Sequence, residues 1–163
     1  MAGEPIVVAG NCAVVFVEEP FARAKAENCE FLQRTLAADL AEAIPAPLLD
    51  LRGESDFIID SAFIAKFGEL KRRSLILFGA LLEGAVTQIA LSMLLEGYDI
   101  YVCADQVKTA DAARETIFLE RIRYCAGHVV TLPQILLELL SQEENDKKRQ
   151  ALLNVLNSVR GSI

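Results

Sequence analysis

The sequence predicts an α/β fold of three α-β-α layers, with a Rossmann-like, mainly parallel sheet between two layers of helix. Two observations carry this. Ser74 to Gln106 reads as a short apolar run, a turn marked by Gly79 and Gly84, an apolar helix closed by Gly97, and a second β-branched run from Tyr98 to Ala104 with Asp105 at its end. Strand, helix and strand in that order form a crossover unit, which joins parallel strands. Cys12 to Val17 is apolar at every position, the mark of a strand covered on both faces.

The remaining elements follow in chain order. Ile6 to Val8 is an apolar start that either pairs at a sheet edge or forms an arm. After the first strand, Pro20 stops the run, and Ala24 to Ala43 is a helix with Phe31, Leu32, Thr35, Leu36 and Leu40 on one face, opposite Glu30, Arg34 and Asp39. Pro45 and Pro47 bar its continuation, and Leu48 to Leu51 makes a short second strand. Ile58 to Phe63 reads as a third strand and Ile64 to Leu70 as a short helix before the crossover unit. Beyond Asp105, Lys108 and Thr109 fall in a loop, and Ala110 to Ala126 is a helix presenting Ala113, Ile117, Glu120 and Ile122, capped by Gly127. His128 to Thr131 is the last strand, and Pro133 opens a helix that runs to Leu140. Glu144 to Val159 is a C-terminal amphipathic helix, with Leu152, Leu153, Leu156 and Val159 on a stripe that packs on the sheet or meets another subunit. The whole of residues 1–163 reads as one domain, long enough to bury a substantial core.

Composition narrows the function. With 53% hydrophobic and 24% charged residues the chain is globular. Its most membrane-like run, Ser74 to Leu95, carries Glu83 near the middle and is broken by Gly79 and Gly84, so no membrane span is expected. A net charge of −7 opposes a nucleic-acid partner, and the basic clusters Lys71 to Arg73 and Lys147 to Arg149 are short. Met1 to Pro5 has neither a secretory nor a transit pattern, which makes the cytoplasm the expected location. The four cysteines show no CxxC spacing and read as reduced thiols. Cys125 and His128 have the spacing of half a metal site, but His128 is the single histidine, so no metal is expected.

In a parallel sheet the ligand crevice lies beyond the carboxyl ends of the strands. Chemistry is therefore expected on Gly79 to Thr87 and on Asp105 to Thr109. Gly79, Ala90, Leu91, Gly97, Tyr98 and Asp105, followed by ERIRYCAGHVVTLPQILLEL, resemble the isochorismatase-like cysteine hydrolases, especially their eukaryotic isochorismatase-domain branch. The resemblance covers residues 12 to 140 and implies that family's hydrolase fold. It also implies a catalytic set, and here the chain departs from the pattern. The nucleophilic cysteine position falls on Ala85, a glutamate position on Leu81, and the lysine position, placed by Ser61, Ala62 and Phe63, on Phe57. Glu18 takes the acid position at the end of the first strand, with Pro20 where the family has glutamine. The segment from Arg52 to Ile59 is shorter than the loop that walls the family's substrate pocket.

A methyl group has no lone pair with which to attack a carbonyl, so Ala85 reads as a packing residue. Glu18 is either an acid or base with a perturbed pKa or the start of an exposed loop. Leu81, Thr87, Cys103 and Asp105 remain pocket candidates; positions 103 and 105 of a regular strand share a face. Two readings follow. One is a catalytically degenerate family member that binds a small molecule or serves in assembly, as a homodimer or larger. The other is a hydrolase of a small amide, ester or vinyl ether, using Glu18 and Cys103. Neither reading calls for a cofactor.

Overall fold

The computed structural model describes residues 7–18, 29–52 and 58–161, and of 29–32 the backbone alone. Five strands form one sheet: β1 Cys12–Glu18, β2 Leu48–Arg52, β3 Ser74–Ala80, β4 Asp99–Lys108 and β5 His128–Val130. All pairings are parallel, in the order β2-β1-β3-β4-β5. The helices are α1 Cys29–Ala43, α2 Ser61–Gly68, α3 Thr87–Leu95, α4 Glu115–Tyr124, α5 Leu132–Gln142 and α6 Asp146–Gly161. A single π-helical turn, Leu82–Val86, links β3 to α3.

Alternation along the strands divides the core. Val14, Phe16, Ile76, Phe78, Tyr101 and Cys103 face α1, α5 and α6, where Leu36, Leu40, Ile135, Leu139, Leu152 and Leu156 meet them. Ala13, Val15, Val17, Leu75, Leu77, Ile100 and Val102 face the other way, against Phe63, Phe67, Ile89, Met93 and Ile122. β1 and β3 are buried at every position, as expected of strands with helices on both sides. Gly79 sits at φ +118 beside β1, and a Cβ there would lie 1.9 Å from the Val17 carbonyl oxygen. Only glycine combines that dihedral with that approach.

Several expectations are corrected. Ile58 to Phe63 is no strand: Asp60 accepts a bond from the Phe63 N–H at 2.9 Å and caps α2, because Phe63 and Phe67, one turn apart, both reach the core. Val7 is an arm and not an edge strand; its N–H donates to Glu138 Oε2 and its carbonyl accepts from Gln142 Nε2, both on α5. Of the predicted α1 face, Leu36 and Leu40 are buried while Thr35 is exposed, since Ala37 and Ala41 complete the stripe instead. The predicted start of that helix, Ala24 to Asn28, and Phe57 lie outside the described residues.

The helix expected from Ala110 starts later, after a 3-10 turn at Ala112–Arg114, and α4 buries only Ile122 in full. Ile117 is 63% exposed, against expectation. At its end Ala126, not Gly127, takes the left-handed conformation, at φ 74. Gly127 is needed for contact: a Cβ there would meet Ile122 Cγ2 at 2.5 Å. In α6 the buried stripe is Leu152, Val155, Leu156 and Val159, with Leu153 partly exposed. That stripe packs within the same cluster as α1 and α5, and the Arg149 guanidinium closes α5 by donating to the Leu140 and Glu143 carbonyls.

Candidate functional site

The strand order reverses between β1 and β3, so the crevice of this sheet opens between their carboxyl ends. Glu18 ends β1 and is paired in register with Arg52 on one side and Ala80 on the other. It is 5% exposed, so the reading of Glu18 as the start of an exposed loop gives way to a buried carboxylate at the switch point. Its alternation points it toward the α1 side of the sheet, in line with Phe16.

Across the switch point, the peptide between Ala80 and Leu81 is cis. The turn Leu82–Val86 follows, with Gly84 at φ −120 and ψ −110. Ala85 is 3% exposed and belongs to the apolar cluster of Val17, Leu82, Val86 and Ile89, on the α3 side. Glu18 and Ala85 thus flank the crevice from opposite faces of the sheet. Thr87 is buried, and its hydroxyl donates to the Leu82 carbonyl, which ties the start of α3 to the turn before it. A hydroxyl held that way has its proton engaged by a carbonyl and not by a base. Leu81 is half-buried at the head of the turn.

Glu83, which sequence reasoning considered only as a charge that breaks an apolar run, spans the crevice end. Its Oε1 accepts from the Ala110 N–H at 2.7 Å, pinning the loop after β4 to the turn after β3. Nothing local in the sequence announces a contact over 27 positions.

Asp105 and Cys103 part company because β4 is irregular. Leu77 pairs with Val102 but Gly79 pairs with Val107, so β4 carries extra residues across Cys103 to Gln106. Cys103 stays in the core beside Tyr101, fully buried, and burial pushes its thiol well above the ordinary range, with Asp105 adding to the shift. Asp105 is exposed and turned to α5: its Oδ1 accepts from the Leu132 N–H at 2.9 Å, at the first turn of that helix, where a negative charge also meets the positive end of the dipole. The shared face expected for positions 103 and 105 holds only for a regular strand. Lys108, expected in a loop, is the last residue of β4, half-buried and in register with Ala80.

The other thiols lie elsewhere. Cys12 is at the amino end of β1, donates to the Val8 carbonyl at 3.1 Å, and is pushed by burial up to about 11. Cys125 is exposed at the end of α4. Among the described residues no group of three or more His, Cys, Asp and Glu side chains could hold a metal ion, and no helix is long and apolar enough to cross a membrane.

The arrangement can be set against known proteins. Residues 11–134, most of the chain and all of the sheet, match the model of the isochorismatase domain. The chain belongs to the isochorismatase family. Isochorismatase family protein 2B of Dictyostelium discoideum is 27% identical over 85 residues, which are 52% of this chain and 40% of that protein, so the match spans well under half of the relative's length. Among solved structures, YcaC from Pseudomonas aeruginosa, determined with hexane-2,5-diol and covalent acrylamide, superposes with TM-score 0.75 at 16% identity, covering 99% of each chain. YcaC of Escherichia coli, described as an octameric hydrolase of unknown specificity, gives TM-score 0.73 at 16% identity over the full length of both. At that identity the likeness is one of fold, and it agrees with the α-β-α architecture of this isochorismatase domain.

Proposed function

We propose that this isochorismatase-family chain is a catalytically degenerate member that binds a small molecule at the switch point between β1 and β3. The observation that carries the reading is Ala85, a buried methyl group packed in an apolar cluster at the turn where the resemblance calls for a cysteine. Thr87 is tied to a carbonyl, and Cys103 is sealed in the opposite core with its thiol held protonated. Loss of a nucleophile costs hydrolases of known mechanism on the order of a million-fold in rate. In this reading Glu18 is what remains of the acid position, Phe57 occupies the lysine position, and Leu81 lines the pocket. The three free thiols among the described residues suit a reducing compartment such as the cytoplasm.

Small amide and ester test substrates are expected to remain intact in the presence of the protein, with no acyl adduct in its mass spectrum. Turnover that disappears in Glu18→Ala would establish the second reading, a hydrolase with an altered residue set. Glu18 is the feature that favours that reading, because a buried carboxylate in a crevice is the usual raw material for acid or base catalysis.

We also propose self-association as a homodimer or larger. Leu95, the last residue of α3, is 89% exposed and Ile117 on α4 63%, apolar surface that a second chain would cover. Light scattering at micromolar concentration should give a mass of at least two chains; a single-chain mass at that concentration rules the assembly out.

A further inference from the structure

A groove of about 580 Å³ runs between α1 and α6, in the helix layer on the other side of the sheet from α3 and α4. Every residue that lines it is a described one, and Ala43 and Val155 at its base are buried. The wall on α1 carries Asp39 and Glu42; the wall on α6 carries Lys147 and Lys148. None of these four side chains forms an ion pair among the described residues.

Each pair of charges sits at the helix end that disfavours its sign. Asp39 and Glu42 are near the carboxyl end of α1, whose last turn has no basic residue, while Lys147 and Lys148 are in the first turn of α6. Open carbonyls at a helix carboxyl end repel carboxylates, and open N–H groups at an amino end repel ammonium groups. Asp39 and Glu42 also share one helix face and repel each other. Burial, and then the charge of Glu42, hold the Asp39 carboxyl above its usual range. All four groups therefore gain from opposite charge brought in from outside.

A second copy of the chain brings both signs at once. In a two-fold contact, if one residue meets another across the axis, the reverse pair forms as well. A half-turn about an axis through the groove lays the lysines of each copy over the acids of the other, so one operation matches all four charges. A head-to-tail contact would leave one pair on each copy unmatched. The net charge of −7 sharpens the choice: two copies repel in most orientations, and approach is favoured where a basic wall meets an acidic one. We infer that the groove between α1 and α6 is the contact surface of a two-fold homodimer, with Lys147 and Lys148 of each copy against Asp39 and Glu42 of the other. The inference rests on the self-association proposed above and names a surface for it, in the layer opposite Leu95 and Ile117.

The test is charge reversal of each wall, followed by light scattering at micromolar concentration and low salt. One variant carries Lys147→Glu with Lys148→Glu, the other Asp39→Lys with Glu42→Lys. Each reversal places a charge that its helix end favours, so both variants keep the fold, which circular dichroism checks. Alone, each should fall to half the wild-type mass or less, because like charges now face each other across the axis. Mixed in equal amounts, they should recover the wild-type mass: the retained acids of one meet the retained lysines of the other, and the new glutamates meet the new lysines. Variants that keep the wild-type mass, or a mixture that stays at the lower mass, would overturn the interface. The first of those results leaves the groove to a small dipolar molecule and leaves self-association standing through another surface. A single-chain mass for the wild type defeats self-association itself.

Discussion

Gly79→Ala is expected to cost about 4 kcal/mol of stability or more, at the extreme end for a single substitution. The added Cβ would stand 1.9 Å from the Val17 carbonyl oxygen and within 3 Å of two further backbone atoms of β1. The neighbour is main chain of β1, which is paired on both sides by β2 and β3 and cannot swing aside as a long side chain would. The dihedral compounds the clash, because φ +118 is a conformation that residues with a Cβ rarely adopt. Urea denaturation followed by far-ultraviolet circular dichroism reads the outcome as a large fall in midpoint, or as failure to fold. A midpoint within experimental error of the wild type would mean that β1 and β3 do not approach as described. Gly68→Ala, where nothing lies within 4 Å of the added Cβ, is the matched control.

The second large effect is on thiol chemistry. In a Cys29→Ser background, iodoacetamide at pH 8 should modify Cys125 at least a hundredfold faster than Cys12 or Cys103. Cys125 is exposed at the end of α4, while the other two are inaccessible. Access is one part of the ratio and ionisation the other, since only the thiolate attacks. Burial lifts Cys12 from 9.0 to about 11 and lifts Cys103 well beyond its ordinary value, so the reactive form is scarce in both. Rapid labelling of Cys103 in the native protein would instead supply the nucleophile that the alternative hydrolase reading needs. The same shifts set the alkaline limit of stability. Cys12 has its folded pKa above its unfolded value, and so does Tyr101, raised by burial and by Asp99 to about 12. The stability these groups support is fully present below the unfolded values and declines once the unfolded chain ionises while the folded one holds its protons. The decline should begin near pH 9 and continue to about pH 12.

Much of the fold was legible in the sequence because its signals are local. The continuous apolar run of Cys12 to Val17 is a doubly covered strand and Gly97 takes positive φ where the chain turns after α3, whereas Gly79, expected at a turn, lies within β3. The helical stripes Leu36 with Leu40 and Leu152 with Leu156 face the core as their spacing requires. Ile58 to Phe63 went the other way because a β-branched run of that length fits a strand or a helix entry, and the Asp60 cap decides between them only once the chain is folded.

Which residues meet at the crevice was another matter. Sequence alone set Glu18 at the end of the first strand, Ala85 in the turn after β3 and Asp105 near the end of β4, since each follows from its neighbours along the chain. Tertiary structure decided what each of them does. The irregular pairing of β4 with β3 sends Asp105 to cap α5, leaves Cys103 in the core, and brings Lys108 into the row of Glu18; Glu83 bonds to Ala110 across the sheet end. The physical reason is that hydrogen bonds and strand register join residues far apart in sequence, and pairing on the folded sheet, not periodicity along the chain, fixes them.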